Sequence, residues 1–306
     1  GNQVVNLCGG PYDFANYRCT TTVVLQNKAP TCQYRAVGHP IATAVTEGLV
    51  DLAAEALGMD PVEMRRRNLI RDDAYPYTSP PGMRFEGLSH HAALDKLLEM
   101  VPVERIRADQ AEARVRGVYR GLGFASFIEL TNPSPFMYGI GGARISAQDG
   151  ATVRMDPDGS VVVLSGVTEQ GQGTEGILRQ IVAHGVGVPL ERVRVITGDT
   201  LTTPYGGGTW ACRGAGIGGE AALRSALALK EQILIVAGAM LQAVPDTLDI
   251  VLGQVVDRAT GRERMALPEL GRIVYYRGDT LPKDLPRELV QTRHFITKEF
   301  PFAFTN

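Results

Sequence analysis

Residues 142–188 read GARISAQDGATVRMDPDGSVVVLSGVTEQGQGTEGILRQIVAHGVGV, and this run sets the fold class. As far as Gly166 it forms two alternating stretches separated by DPDG, a turn signal, so it predicts strand, turn, strand. A glycine loop at 171–173 follows, and then a helix over EGILRQIVAHGVGV. Pro189, a strand RVRVITGD and a second glycine-rich loop at 206–219 come next, before a long helix reaching about Val244. Strand and helix mix without strict βαβ alternation, so the class is α+β, with mixed sheets and helices opened by glycine-rich loops.

Upstream, residues 1–34 read as extended, with RCTTTVVLQNKA rich in β-branched residues. HPIATAVTEGLVDLAAEALGMDPVEMRRRNLI predicts a long helix, a stop at Gly58 and a short helix. In that short helix Asp60 is the N-cap, Pro61 takes the first position and Glu63 sits three residues past the cap. A charged helix is expected over roughly 89–116, and the adjacent His90 and His91 read as surface because neighbours do not share a helix face. The boundary between two domains is placed near 117–120, giving regions 1–118 and 119–306. In the tail, LPELGRIVYYRG predicts a further helix.

A formal net charge of -2 offers no electrostatic footprint for nucleic acid or an anionic membrane. No apolar run reaches the ~18 residues of a membrane span, and the start carries no signal-peptide pattern, so a cytoplasmic protein is expected. Cys8, Cys19, Cys32 and Cys212 form no C-x-x-C pair, which argues against a zinc ribbon or a cysteine-ligated iron–sulfur site in this chain. At least the first three read as reduced thiols. The chain begins at Gly1 and finishes FPFAFTN, and both ends read as cut edges.

Three motifs carry chemistry. TEQGQGTEG (168–176) lies at a strand-to-helix junction, where amides opening the helix suit an anion such as a phosphate or an oxo group. A tight turn that simply starts a helix is the alternative. PYGGGTWACRGAGIGGEAA (204–222) is a second such loop and holds the only tryptophan, Trp210. Two loops of this kind suggest one extended ligand between two helix N-termini, and a mobile surface loop is the alternative. TCQYRAVGHPIA (31–42) sets Arg35 before a Gly–His–Pro bend, placing a cation near an oxyanion or, alternatively, on the surface. There is no phosphate loop ending in Gly-Lys-Ser/Thr, no G-x-S-x-G and no H-E-x-x-H.

Together these motifs resemble the large subunit of the molybdenum hydroxylases, the family of xanthine dehydrogenases and aldehyde oxidases. QYRAVGHP with the following helix and DPVEMRRRNLI is similar to the segment carrying the family's active-site arginine, which implies that role for Arg35. EQGQGT is similar to the family's glutamine–glycine loop. That likeness implies cofactor contacts at Gln170, Gly171, Gln172 and Gly173, with Gln172 facing the metal's oxo ligand and Gln170 replacing the usual methionine. The second loop implies further contacts at Trp210, Ala211, Cys212, Arg213 and Gly214, with Cys212 where serine is common. The cofactor implied is molybdopterin, or its cytosine dinucleotide form, with molybdenum. The reaction implied is hydroxylation of an aldehyde or N-heteroaromatic with water as oxygen source. Electrons would leave through partner subunits carrying [2Fe-2S] and FAD.

The sequence departs from the family in lacking the Gly-Val-Gly-Glu segment with the basic glutamate and the glycine-rich phenylalanine loop. Glu129 and Glu175 match neither. The resemblance therefore covers the middle of the subunit, either as one polypeptide of a split subunit or as a fragment, with a partner chain expected to supply the glutamate. A non-catalytic scaffold is the alternative function. Carbon monoxide oxidation ranks last, because the family's copper-binding cysteine position is Ala36 here.

Overall fold

The computed structural model describes residues 2–29, 35–132, 146–297 and 303–305. Residues 31–34 of the arginine motif, Cys32 among them, and residues 142–145 of the first expected strand lie outside the described residues. The chain forms two compact units, Gly1–Leu130 with Pro301–Asn306, and Thr131–Phe300.

In the first unit the helices are α1 (Asn2–Leu7), α2 (His39–Ala56), α3 (Pro61–Asn68), α4 (His90–Met100) and α5 (Val103–Val115). Strands β1 (Tyr77–Thr78) and β2 (Arg84–Phe85) form a two-stranded antiparallel ribbon, and β3 (Glu129–Thr131) follows. The cap of α3 forms as its sequence requires, with the Asp60 carboxylate accepting the amides of Val62 and Glu63 at 2.8 and 3.2 Å. Arg65, the first of three consecutive arginines, is fully buried. Its guanidinium donates to Glu47, to Asp51 and to the Phe124 carbonyl, at 2.7–2.8 Å. A buried guanidinium persists only when its donors find such partners.

Three expectations for this unit are corrected. The N-terminal stretch is not extended throughout, since α1 occupies it, and RCTTTVVLQNKA forms no strand among the described residues. β-Propensity needs a partner ladder, and Val23, Val24 and Leu25 are exposed here without one. The charged helix is two helices, separated by Val101 and Pro102, because proline disfavours helical backbone in the residue before it. His90 is buried, with Nε2 3.0 Å from the Phe127 carbonyl, and burial pushes its pKa down.

The second unit is built on a four-stranded mixed sheet. Strand β4 (Gln148–Met155) pairs antiparallel with β5 (Val161–Ser165) across the expected turn. Strand β5 pairs parallel with β6 (Val193–Ile196), and β10 (Val290–Ile296) pairs antiparallel with the other edge of β4. The five residues of β5 are all buried, which matches its unbroken apolar run VVVL. Helix α6 (Thr174–Val186) is the crossover that a parallel β5–β6 pair needs. It packs on α7 (Gly219–Leu241), which lies against β4 and β10. A three-stranded antiparallel sheet of β7 (Leu248–Val251), β8 (Gln254–Asp257) and β9 (Glu263–Ala266) precedes α8 (Leu267–Tyr276). One continuous core joins β4, β5, α6, α7 and α8 through residues such as Val153, Val163, Leu178, Ile233 and Leu270. The mixture is α+β. Among the described residues, no helix is long and apolar enough to cross a membrane.

Candidate functional site

Both glycine loops belong to the second unit, and each joins the sheet to a helix buried in its core. The first leaves β5 and enters α6. The second follows β6 and enters α7 through a π-helical turn at Gly214–Gly218, whose Ile217 and Gly218 amides donate to the Arg213 carbonyl. Residues that are 41 apart in sequence join the loops. The Thr168 amide donates to the Thr209 hydroxyl at 2.7 Å, and that hydroxyl donates back to the Thr168 carbonyl at 2.7 Å. The Gln170 side-chain amide donates to the Thr209 carbonyl at 2.8 Å. The structure thus brings 168–173 and 209–214 together.

The amides of the first loop already have an acceptor. The Glu169 carboxylate accepts N–H groups from Gln170 (3.0 Å), Gln172 (2.8 Å), Gly173 (3.1 Å) and Glu175 (3.1 Å). The Glu175 amide above all, with those of Gly173, Gln172 and Gly171, holds the Glu169 carboxyl below the usual carboxylate range. The anion at the opening of α6 is therefore this chain's own side chain. The Gln172 side chain is exposed, and its carboxamide makes no hydrogen bond among the described residues. Gly171 and Gly173 are exposed with φ of +81° and +79°.

The second loop is anchored from beneath. Arg213 and Asp149 are both fully buried and paired at 2.8 Å. The Arg213 guanidinium also donates to the carbonyls of Ser146 and Gln148. Burial pushes the Asp149 carboxyl up, with the Arg213 charge and the amides of Gly150 and Gly207 opposing. Glycine is required over this pair. A Cβ on Gly206 would lie 2.0 Å from Asp149 Oδ1, and one on Gly207 would lie 2.0 Å from an Arg213 nitrogen. The Arg213 side chain points into the protein, leaving backbone as its means of touching a ligand. Above the pair, Ala211 and Cys212 take φ of +50° and +55°, Cys212 is exposed, and Trp210 and Gly214 are half-buried.

Arg35 belongs to the first unit and is exposed. The bend that follows it is pinned at His39, whose Nε2 accepts the Leu130 amide at 3.2 Å while Nδ1 lies 3.2 Å from the Val37 carbonyl.

Sequence reasoning missed Glu169, Thr209 and Asp149. Glu169 had a local signal, a carboxylate just ahead of a glycine loop that opens a helix. Asp149 had none, because its partner lies 64 residues away. Among the described residues, no three His, Cys, Asp or Glu side chains are grouped to hold a metal ion. A metal arriving on an organic ligand would need polar contacts from this chain rather than metal ligands. The outward Gln172 amide and the joined loops fit such a group, whereas the amides at 170–175 do not offer it an anion site.

Comparison with known proteins shows the family to which the chain belongs. Two family models, each described as a molybdopterin cofactor-binding domain, match residues 2–69 and 96–302. The nicotine 6-hydroxylase large subunit of Paenarthrobacter nicotinovorans is 32% identical over 294 residues, which is 96% of this chain and 36% of that protein. The carbon monoxide dehydrogenase large chain of Hydrogenophaga pseudoflava is 33% identical over 253 residues, 80% of this chain and 31% of that one. The crystal structure of quinoline 2-oxidoreductase from Pseudomonas putida 86 superposes with a TM-score of 0.78 at 34% identity, covering 91% of this chain and 35% of that chain. The chain thus spans about a third of the length of the relatives it matches.

Proposed function

Because this chain belongs to the molybdopterin cofactor-binding domain family, we propose that it forms part of the cofactor site of a molybdenum hydroxylase. The substrate class is an N-heteroaromatic or an aldehyde, and water is the oxygen source. The observation that carries the reading is the joining of the two glycine loops through Thr209. When bound, the molybdenum pterin supplies the two-electron redox chemistry.

The chain's own residues have distinct tasks in this reading. Gln172 would offer its side-chain amide, a donor and an acceptor, to polar groups of the cofactor. Gln170 keeps the two loops in register. Gly171 and Gly173 leave room for close approach. Trp210, Ala211, Cys212, Arg213 and Gly214 line the second side, Arg213 through its backbone. Arg35 orients an anionic or electron-rich substrate atom by its fixed charge. Molybdopterin or its cytosine dinucleotide form, [2Fe-2S] and FAD on partner subunits, and a glutamate base from outside these 306 residues complete the assembly. Carbon monoxide is the least favoured substrate, since the methyl group of Ala36 has no donor atom to hold copper.

Molybdenum and pterin analysis of the purified complex containing this chain tests the proposal. About one molybdenum per chain is the expected result. A complex that assembles in the cell without molybdenum or pterin overturns it and supports a scaffold instead.

A further inference from the structure

The Glu169 carboxylate gathers amides from four residues and is exposed, and although it stands in the first glycine motif, the resemblance gives it no contact with the cofactor. One oxygen takes the amides of Gln170, Gln172 and Gly173, and the other takes Glu175 in the first turn of α6. These bonds close a ring around the two left-handed glycines, a backbone shape that a glycine-containing loop leaves readily when nothing holds it. The ring also has an electrostatic consequence. A helix N-terminus attracts one anion, and once a carboxylate sits there a second anion meets like charge in place of free donors.

We propose that Glu169 is a positioning residue: its carboxylate serves as the loop's internal anion, holding the backbone so that the Gln172 side chain projects outward. The ring rests on the geometry alone. Its effect on the cofactor, through Gln172, rests on the function proposed above. Anionic groups of the cofactor therefore do not occupy the amides at 170–175, and contact with it comes from side chains.

Hydrogen–deuterium exchange on the intact complex tests the ring, and the molybdenum spectrum of the same samples tests its effect. In Glu169→Ala, exchange of the 170–175 peptide should accelerate by about tenfold while the β5 peptide is unchanged, because each lost bond exposes an amide to water. Glu169→Gln keeps one carbonyl oxygen and should fall between alanine and wild type. The paramagnetic molybdenum signal should shift in Glu169→Ala in the same sense as in Gln172→Ala, and Glu169→Gln should partly restore it. Unchanged exchange in Glu169→Ala overturns the ring. Accelerated exchange with an unshifted molybdenum signal overturns the positioning of Gln172. A wild-type complex devoid of molybdenum overturns the proposed function and with it the positioning role, while the exchange data still decide the ring.

Discussion

The first glycine loop is gathered around an exposed carboxylate, whereas the second is tied down by an ion pair from which water is excluded. Both loops open helices and both are rich in glycine, so the contrast lies in what surrounds the charges. At the surface, water and salt compete for Glu169 and soften its hold. Beneath the second loop, Arg213 and Asp149 are each other's buried counter-charge, and removing either leaves a buried charge with only neutral backbone partners. The second loop is accordingly a rigid wall and the first an adjustable one. In the proposed function, a site that must accept a large cofactor and then hold it benefits from one of each.

The contrast breaks most sharply at the buried pair. Arg213→Met should destabilise the protein by about 3–5 kcal/mol, because Asp149 is left buried without its counter-charge. Denaturant unfolding measures this, and a loss below about 1 kcal/mol would mean that the pair is solvated. The next largest effect is expected at Gly206→Ala, which puts a methyl group against the Asp149 carboxylate and should cost about 1–3 kcal/mol through overpacking. Gly173→Ala in the other loop meets no atom within 4 Å, so only its φ of +79° opposes the change. It should cost about 1 kcal/mol, and thermal unfolding of the two glycine variants side by side ranks the walls directly. The smallest effect is a pH dependence. The Glu169 pKa is depressed, so its contribution is present above the ordinary glutamate range and is lost as the pH falls through the lowered value. The protection of the 170–175 peptide should fall on acidification, so that its exchange slows less than the intrinsic rate does, and exchange that follows the intrinsic rate alone would contradict the carboxylate's hold.

Much of the local structure in both units could be read from residues adjacent in sequence. The DPDG turn, the apolar run of β5, the helix after the glycine loop and the Asp60 cap all arise from interactions spanning a few positions, where residue identity and spacing carry the physics. Patterns that needed a distant partner were misread. The β-branched stretch near Val23 had propensity but no ladder, and His90 was hidden by the carbonyl of Phe127, 37 residues on. Arg213 stood in a motif that pointed to a ligand, and folding turned its guanidinium inward toward Asp149 instead. Glu169 shows that local sequence can also leave a choice open. Composition shows amides able to bind an anion, but the path of the chain sets whether a neighbouring carboxylate reaches them first. Periodicity, turns and caps were therefore legible from the residues alone, because they are short-range. The pairing of charges, the meeting of the two loops at Thr209 and the direction each side chain faces came from the fold, because they depend on which remote segments packing brings within hydrogen-bond reach.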